Sequence, residues 1–330
     1  MKNVGLDFSI FKDRIGGSFD YFWNDVTDML GTANSNGLSM FGTYPINGGH
    51  IRRYGWDATI NTKNIITKDF RWSSMLTLSH YNAIWKERMP NYDYSEYQVR
   101  KDEPVNALYF YRTDGLVNAT MSNCPAYQPD GYKKPGCPII KDLNGDGAIT
   151  IADVDMVNVV PDIYLGLGNT FNYKNWDLNI FVYSQLGLKK YNYVYSWCNG
   201  TQLANQTLNQ STYIKDAWTS DNQNGNLPGV AYYLSSVSLP GSCGTDVGYE
   251  NSSFIRVRNI TLGYTFNEKS LGALGKYFNT VRIYADAQNP LTITSFKGFD
   301  PEVYTGSSYK AGKAEYPQIR TFSMGVKVSF

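Results

Sequence analysis

Hydrophobic and polar residues alternate one for one over much of the chain, most cleanly near its two ends. Phe322, Met324, Val326, Val328 and Phe330 fall on one face of an extended segment, with Thr321, Ser323, Gly325, Lys327 and Ser329 on the other. At the start, Val4, Leu6, Phe8 and Ile10 oppose Asn3, Gly5, Asp7 and Ser9. The same pattern sets Tyr54, Trp56, Ala58 and Ile60 against Gly55, Asp57, Thr59 and Asn61. It recurs at Ile260, Leu262, Tyr264 and Phe266, and again at Val281, Ile283, Ala285 and Ala287. Successive side chains of a strand point to opposite faces, so a period of two predicts strands with one apolar face. Strands are expected over 3–10, 16–24, 52–62, 69–83, 163–173, 176–186, 252–266, 280–289 and 319–330.

The connections alternate strictly between short and long. Phe11-Lys12-Asp13-Arg14, the link between 62 and 69, and Lys174-Asn175 are short; Asn267 to Asn279 is slightly longer, with room for one helical turn. The intervening links, 25–51, 84–162, 187–251 and 290–317, are long. A transmembrane barrel has short periplasmic turns and long external loops. A soluble sandwich has mostly short links at both ends. The expected fold is therefore all-β: an antiparallel transmembrane β-barrel segment of about nine strands from a larger barrel. The last strand then runs towards the periplasm and leaves Phe330 there. Aromatic residues near strand ends, Trp23, Tyr54, Trp56, Trp72, Trp85, Tyr173 and Trp176, suit a membrane interface. Alternation alone does not separate a lipid-facing sheet from one covering a soluble core. The alternative is a secreted or surface β-rich glycan-binding or adhesion module with a structural calcium site.

Composition narrows the classes. The 330 residues carry a net charge of +1 and a charged fraction of 18%, which gives no footprint for nucleic acid. Aromatic content of 15% and apolar content of 42% exclude disorder. No apolar run is long enough for a transmembrane helix, although barrel strands need none. No signal peptide precedes the alternation that begins at Asn3, so a fragment or an incomplete reading frame is expected. Catalysis is not expected: Asp93, Glu96, Asp102 and Glu103 form no paired-carboxylate spacing and read as solvated loop charges. His50 and His80 lie in unrelated segments. Four cysteines, Cys124, Cys137, Cys198 and Cys243, sit in loop-like stretches outside any CxxC motif. Cys124 with Cys137 is the expected disulfide, and four free thiols are the alternative.

The sharpest local motif is the loop 142–153. Asp142, Asn144 and Asp146 place side-chain oxygens at alternate positions, Gly147 permits a sharp turn, and Asp153 closes the loop at position twelve. The Ala148 carbonyl completes an oxygen donor set of the kind Ca2+ takes. Asp replaces the Glu of an EF-hand at the last position, which resembles a dockerin repeat. Ile149 is expected to pack beneath the loop, and Ile151 to Val157 to form a following helix. Only one such repeat is present, so the expected ion is structural; the alternative is a metal-free Asn/Gly/Asp turn.

Several stretches resemble the C-terminal part of SusC/RagA-type TonB-linked outer-membrane proteins of Bacteroidetes, in the family's order. They are 3–8 (NVGLDF), 21–30 (YFWNDVTDML), 47–57 (NGGHIRRYGWD, with Arg53 in place of the usual Asn) and 141–147 (KDLNGDG). The strongest is 253–264 (SFIRVRNITLGY), followed by Val281-Arg282-Ile283-Tyr284, Gln288-Asn289-Pro290-Leu291 and Gly298-Phe299-Asp300-Pro301-Glu302. Pro290 departs from the family's usual Leu or Phe. The terminal Phe330 resembles the signal that barrel-assembly machinery reads. The resemblance implies an outer-membrane importer of oligosaccharides or peptides, working with a SusD-like lipoprotein. It implies energy from the TonB complex through an N-terminal plug outside residues 1–330. It also implies a barrel of about 22 strands, so nine strands alone are expected neither to close nor to transport, and to expose two sheet edges. No residue is assigned to substrate. Tyr191, Tyr193, Tyr195, Trp197, Asn199, Gln202 and Asn205 are the aromatic and amide residues with suitable chemistry.

Overall fold

Strands that alternate and reverse through tight turns pair with their sequence neighbours, and that rule builds most of this molecule. The computed structural model describes residues 1–35, 42–192, 212–234, 238–303 and 316–330. Its strands are β1 (Lys2–Ile10), β2 (Ile15–Asn34), β3 (Thr43–Ile66), β4 (Phe70–Glu87), β5 (Ala107–Tyr111), β6 (Thr113–Leu116), β7 (Pro138–Ile140) and β8 (Val154–Asn158). They continue as β9 (Ile163–Tyr173), β10 (Trp176–Leu186), β11 (Lys189–Tyr191), β12 (Gly244–Thr245), β13 (Tyr249–Asn251), β14 (Phe254–Asn267), β15 (Thr280–Thr294) and β16 (Thr321–Ser329). Among the described residues two single-turn α-helices, α1 (Val230–Tyr233) and α2 (Glu268–Leu271), and several 3-10 turns lie between the strands.

One antiparallel nine-stranded sheet, ordered β1-β2-β3-β4-β9-β10-β14-β15-β16, is the expected barrel wall. Each of its strands matches one predicted from the alternation. The turn 11–14 is tight enough to put Phe11, Lys12 and Asp13 at φ 54°, 57° and 60°. Lys174 reverses the β9–β10 hairpin at φ 51°. β1 and β16 are the two edges, and no pairing joins them among the described residues.

Register shows that the apolar sets coincide across strands. Val4 pairs Tyr21 and Leu6 pairs Phe19, Phe19 pairs Ala58, and Leu178 pairs Leu262, which pairs Ala285, which pairs Met324. This apolar face is left open: Leu6 is 63% exposed, Leu262 44% and Met324 82%. A water-soluble sheet buries such a face; a barrel wall presents it to lipid. The opposite face carries Asp177, Asn179, Thr261, Arg282, Asp286 and Ser323, and it lines the lumen.

Several expectations are corrected. The link 25–51 is mostly strand, because β2 and β3 run to 20 and 24 residues and leave only a short tip. Hydrophobic alternation fades there while backbone pairing continues, held by Asp25 against His50 (2.9 Å) and Arg52 (2.7 Å). The link 84–162 holds β5 to β8 rather than plain loop. Trp85 lies on the face opposite Trp56, with the Arg88 guanidinium 4.9 Å above its ring. Glu103 is fully buried, accepting hydrogen bonds from Arg88 and Tyr109, so it is no solvated charge.

One departure from regular pairing and one close cross-strand contact have local causes. β14 bulges at Arg258, between Val257 and Asn259, opposite an irregular stretch of β15 that holds Asn289 and Pro290. Proline offers no N–H to a ladder and is tolerated at such a point. On the lumen face, Tyr284 lies across Gly325, where an added Cβ would come within 2.5 Å of the ring. Gly325→Val should therefore lower stability by about 1–3 kcal/mol through overpacking. Tyr284→Ala in the same chain should restore part of that loss. Urea midpoints of the detergent-refolded protein check both, and additive effects of the two changes would contradict the contact.

Candidate functional site

The lumen wall is a hydrogen-bonded polar surface built by the inward positions of β9, β10, β14 and β15. Arg282 Nε donates to Asp177 at 2.9 Å and Nη2 at 2.5 Å, and its guanidinium lies 5.0 Å over Tyr284. Asp286 accepts from Asn259 Nδ2 at 2.5 Å and from Thr261 Oγ1 at 2.6 Å. Thr170 Oγ1 donates to Asn179 at 2.9 Å. These groups are partnered yet half-exposed, as suits a wall facing water.

At the outer end of this wall, the loop after β15 folds back onto β14. Arg256, only 2% exposed, donates to both oxygens of Asp300 at 3.0 and 2.9 Å and to Glu302 at 2.6 Å. Its Nε reaches Thr292 Oγ1 at 2.9 Å, and its guanidinium lies 5.3 Å from the Phe254 ring. The bulge turns Arg258 to the same side, where it pairs with Glu302. Burial works to raise the Asp300 carboxyl, but the Glu302 amide, the Arg256 guanidinium and the Gln318 amide outweigh it. The carboxyl is held below its ordinary 3.8. Lys190 adds a bond to the Val303 carbonyl at 3.3 Å. The Arg-x-Arg and Asp-Pro-Glu stretches, far apart in sequence, are thus the two halves of one clamp.

The external loops form a layer with its own core. Tyr97, Tyr111, Tyr132, Cys137, Ile140, Val154 and Leu239 pack together, with Ile149 and Ile151 against them. β5 pairs with β8 and with β12, so the two longest loops share one small sheet. Tyr111 ties them further, donating to the Thr150 carbonyl at 3.0 Å or the Pro240 carbonyl at 3.1 Å.

The loop 142–153 sits on this core. Asp142 accepts from the Gly145 amide at 2.7 Å and the Gly147 amide at 2.8 Å. Those contacts, the Gly147 amide first, hold its carboxyl below the ordinary value. Asn144 Oδ1 accepts from the Asp146 amide at 3.0 Å, and Asp146 Oδ1 from the Ala148 amide at 2.8 Å. Asp153 is fully buried and accepts from the amides of Leu143 and Thr150, both at 2.8 Å, drawing the two ends of the loop together. Gly145 and Gly147 take φ 74° and 82°, which explains their place in the motif. Ile149 packs inward as expected. The following helix is corrected to one 3-10 turn, Ile151–Asp153, because Val154 enters β8 at once. Among the described residues, no three His, Cys, Asp or Glu side chains converge as a ready metal cluster. An ion here would rely on Asn144 and the Ala148 carbonyl as well as the carboxylates.

The Cys124–Cys137 pairing is corrected: both are free thiols, as is Cys243. Cys137 is buried in the loop core, which pushes its thiol up to about 11, while Cys124 stays half-exposed with its sulfur towards the Pro125 carbonyl. Cys198 lies outside the described residues, as do Tyr193, Tyr195, Trp197, Asn199, Gln202 and Asn205. Tyr191 packs edge-on against Tyr249 at 5.1 Å.

Comparison with known proteins gives the wall a lineage. The chain is 27% identical to TonB-dependent receptor P3 of Formosa agariphila, over 99% of its own length and 34% of the relative's. It is 29% identical to TonB-dependent receptor SusC of Bacteroides thetaiotaomicron, over 99% of its length and 31% of the relative's. The chain is a relative of the SusC/RagA-type TonB-dependent receptors. It spans about a third of the length of these curated relatives. No family model matches it. Among solved structures it superposes on the RagAB peptide importer in its closed-closed state with a TM-score of 0.74, at 22% identity, over 99% of this chain and 35% of that one. That likeness concerns the fold, an outer-membrane β-barrel. The chain's location is the outer membrane.

The clamp generates a prediction with two arms. Arg256→Ala leaves Asp300 and Glu302 buried without their partner and should cost about 3–5 kcal/mol. Because the Asp300 carboxyl is depressed, its contribution is present above pH 3.8 and is lost only as pH falls through the lower folded value. Cleavage of the loop 295–303 by a protease should thus be slow down to about pH 4 in the parent and fast at neutral pH in the variant. Equal cleavage of the two at pH 7 would show that the clamp does not hold the loop.

Proposed function

We propose that this chain forms barrel wall in a TonB-dependent importer of oligosaccharides or peptides that works with a SusD-like lipoprotein. One observation carries the reading. A chain whose nine-stranded sheet is apolar on its lipid side and hydrogen-bonded on its lumen side aligns along 99% of its own length with TonB-dependent receptor P3. The loop layer supports it, since a rigid external platform suits a lid partner. Energy from the TonB complex enters through a plug carried outside these strands. Substrate passes the polar wall, where partnered amides, hydroxyls and ion pairs offer sites that solutes can exchange with.

The test is genetic and biochemical. Deleting the gene in its host should abolish growth on one oligosaccharide or peptide source and spare growth on simple sugars and amino acids. A tagged copy at its own locus should co-purify an outer-membrane lipoprotein. Unchanged growth on every complex source, with no lipoprotein recovered, would sink the reading.

We further propose that Ca2+ stiffens the loop 142–153, held by Asp142, Asn144, Asp146, the Ala148 carbonyl and Asp153. The donors are all oxygen, as this cation prefers. Chelation should lower the thermal midpoint of the purified protein by several degrees, and added Ca2+, but not Mg2+, should restore it. Asp142→Ala with Asp146→Ala should remove the Ca2+ dependence. A midpoint indifferent to chelation would leave the loop as a metal-free turn.

A further inference from the structure

The lipid-facing side of the sheet is uneven near its periplasmic rim. Trp176, Leu262, Tyr264, Phe266, Ile283 and Met324 line a groove of about 650 Å³, together with Ala285 and Tyr284. The groove is a consequence of register. Ala285 stands between Leu262 and Met324 on the neighbouring strands, and its short side chain leaves the space that larger residues frame. Trp176 meets Tyr264 edge-on at 4.8 Å, and Tyr264 meets Phe266 at 4.7 Å, so an aromatic border closes the periplasmic end.

Directly beneath that border lie cations. The Thr265 amide donates to the Asn175 carbonyl at 2.9 Å, which seats the β9–β10 turn beside the end of β14. That turn carries Lys174, and the link that continues β14 carries Lys269 and Lys276. All three are exposed, and none forms an ion pair among the described residues. Lys174 Nζ rests 5.5 Å from the Tyr173 ring. Glu268 is the one acid on the link. The link also exposes Leu274 and Tyr277, and Phe278 packs at 5.5 Å on the terminal Phe330. Apolar residues bordered by lysines and aromatic rings are the composition of a segment lying at a bilayer interface.

We propose that this corner of the wall is a binding site for one anionic phospholipid of the periplasmic leaflet. An acyl chain occupies the groove over Ala285, and the headgroup phosphate sits among Lys174, Lys269 and Lys276. Two features single out a membrane lipid over a soluble anion. The groove opens on the face that meets the bilayer, and the lysines stand where headgroups begin. A soluble anion would use the lysines and leave the groove irrelevant.

Lipid retention by the full-length receptor that contains this wall, purified as a closed barrel, tests the proposal. The detergent-solubilised protein is titrated with phosphatidylglycerol and, separately, with phosphatidylethanolamine, and bound lipid is read by native mass spectrometry. Each lysine near an anionic headgroup layer is worth roughly fivefold in affinity. One phosphatidylglycerol should therefore bind with about tenfold or greater preference. The variant carrying Lys174→Gln, Lys269→Gln and Lys276→Gln should lose that preference, while Ala285→Phe, which fills the groove, should weaken both lipids. The lysines are exposed and outside the strands, so their variant keeps the fold even if the groove variant does not; heat-modifiable gel mobility confirms this. Equal binding of the two lipids, or an unchanged triple variant, overturns the proposal. So does displacement of the lipid by excess inorganic phosphate, which would mark a plain anion site. Transport is not the readout, so failure of the importer reading would leave this result intact.

Discussion

Within a bilayer every backbone donor and acceptor must find its partner inside the protein. That constraint organises the molecule. It requires neighbouring strands to pair without gaps, and pairing fixes one register, which sends every second side chain to lipid and the others to the lumen. Leu178, Leu262, Ala285 and Met324 lie in one row because four strands share that register. Irregularity is confined to where it can be compensated. The bulge at Arg258 and the proline opposite it lie at the outer end of the wall, beside the clamp that uses the re-aimed arginine.

The wall and the loop layer solve different problems. The wall buries little, because lipid covers one face and water the other. Arg256 is nevertheless among its most buried side chains, and its charge is tolerable only with Asp300 and Glu302 in place. The loop layer is held conventionally, by aromatic and aliphatic packing around Tyr111 and Ile140 and by a small sheet joining two loops. Its core lies beside the barrel wall and draws on segments more than a hundred residues apart, such as Tyr97 and Leu239.

How much of this was legible in the sequence follows from the same division. Period-two alternation is imposed by the contrast between lipid and water, so the nine wall strands could be read along with their direction. Where β2 and β3 leave the membrane, both faces meet polar surroundings, the contrast vanishes, and the sequence of a strand resembles that of a loop. The loop core was hidden for the opposite reason: its apolar residues are scattered, and their proximity depends on tertiary folding. Glu103 shows this at one position, since nothing local distinguishes it from a solvated acid until Arg88 and Tyr109 close over it. The loop 142–153 was legible residue by residue because its contacts are local, Asp142 to Gly147 and Asp153 to Leu143. Cys137 lies in loop-like sequence and is nonetheless enclosed, because the loop core gathers segments that are distant along the chain.

The two rims of the wall differ in a way that membrane chemistry explains. A strand crosses a bilayer in about 9–11 residues, and β9 and β10, at 11 residues each, do little more. β2 and β3 continue well beyond that length on the outer side only. There, several charges are matched within the protein: Asp25 with Arg52, which His50 also bonds, and Lys86 with Asp102. At the periplasmic side the strands stop at the interface, and Lys12, Lys68, Lys174 and Lys269 stand exposed in successive reversals. A projecting hairpin has only itself and its neighbours to satisfy its charges. A rim that ends at the headgroup layer can leave lysines for the lipids to neutralise, and Lys174 and Lys269, beside the groove over Ala285, are placed to do so.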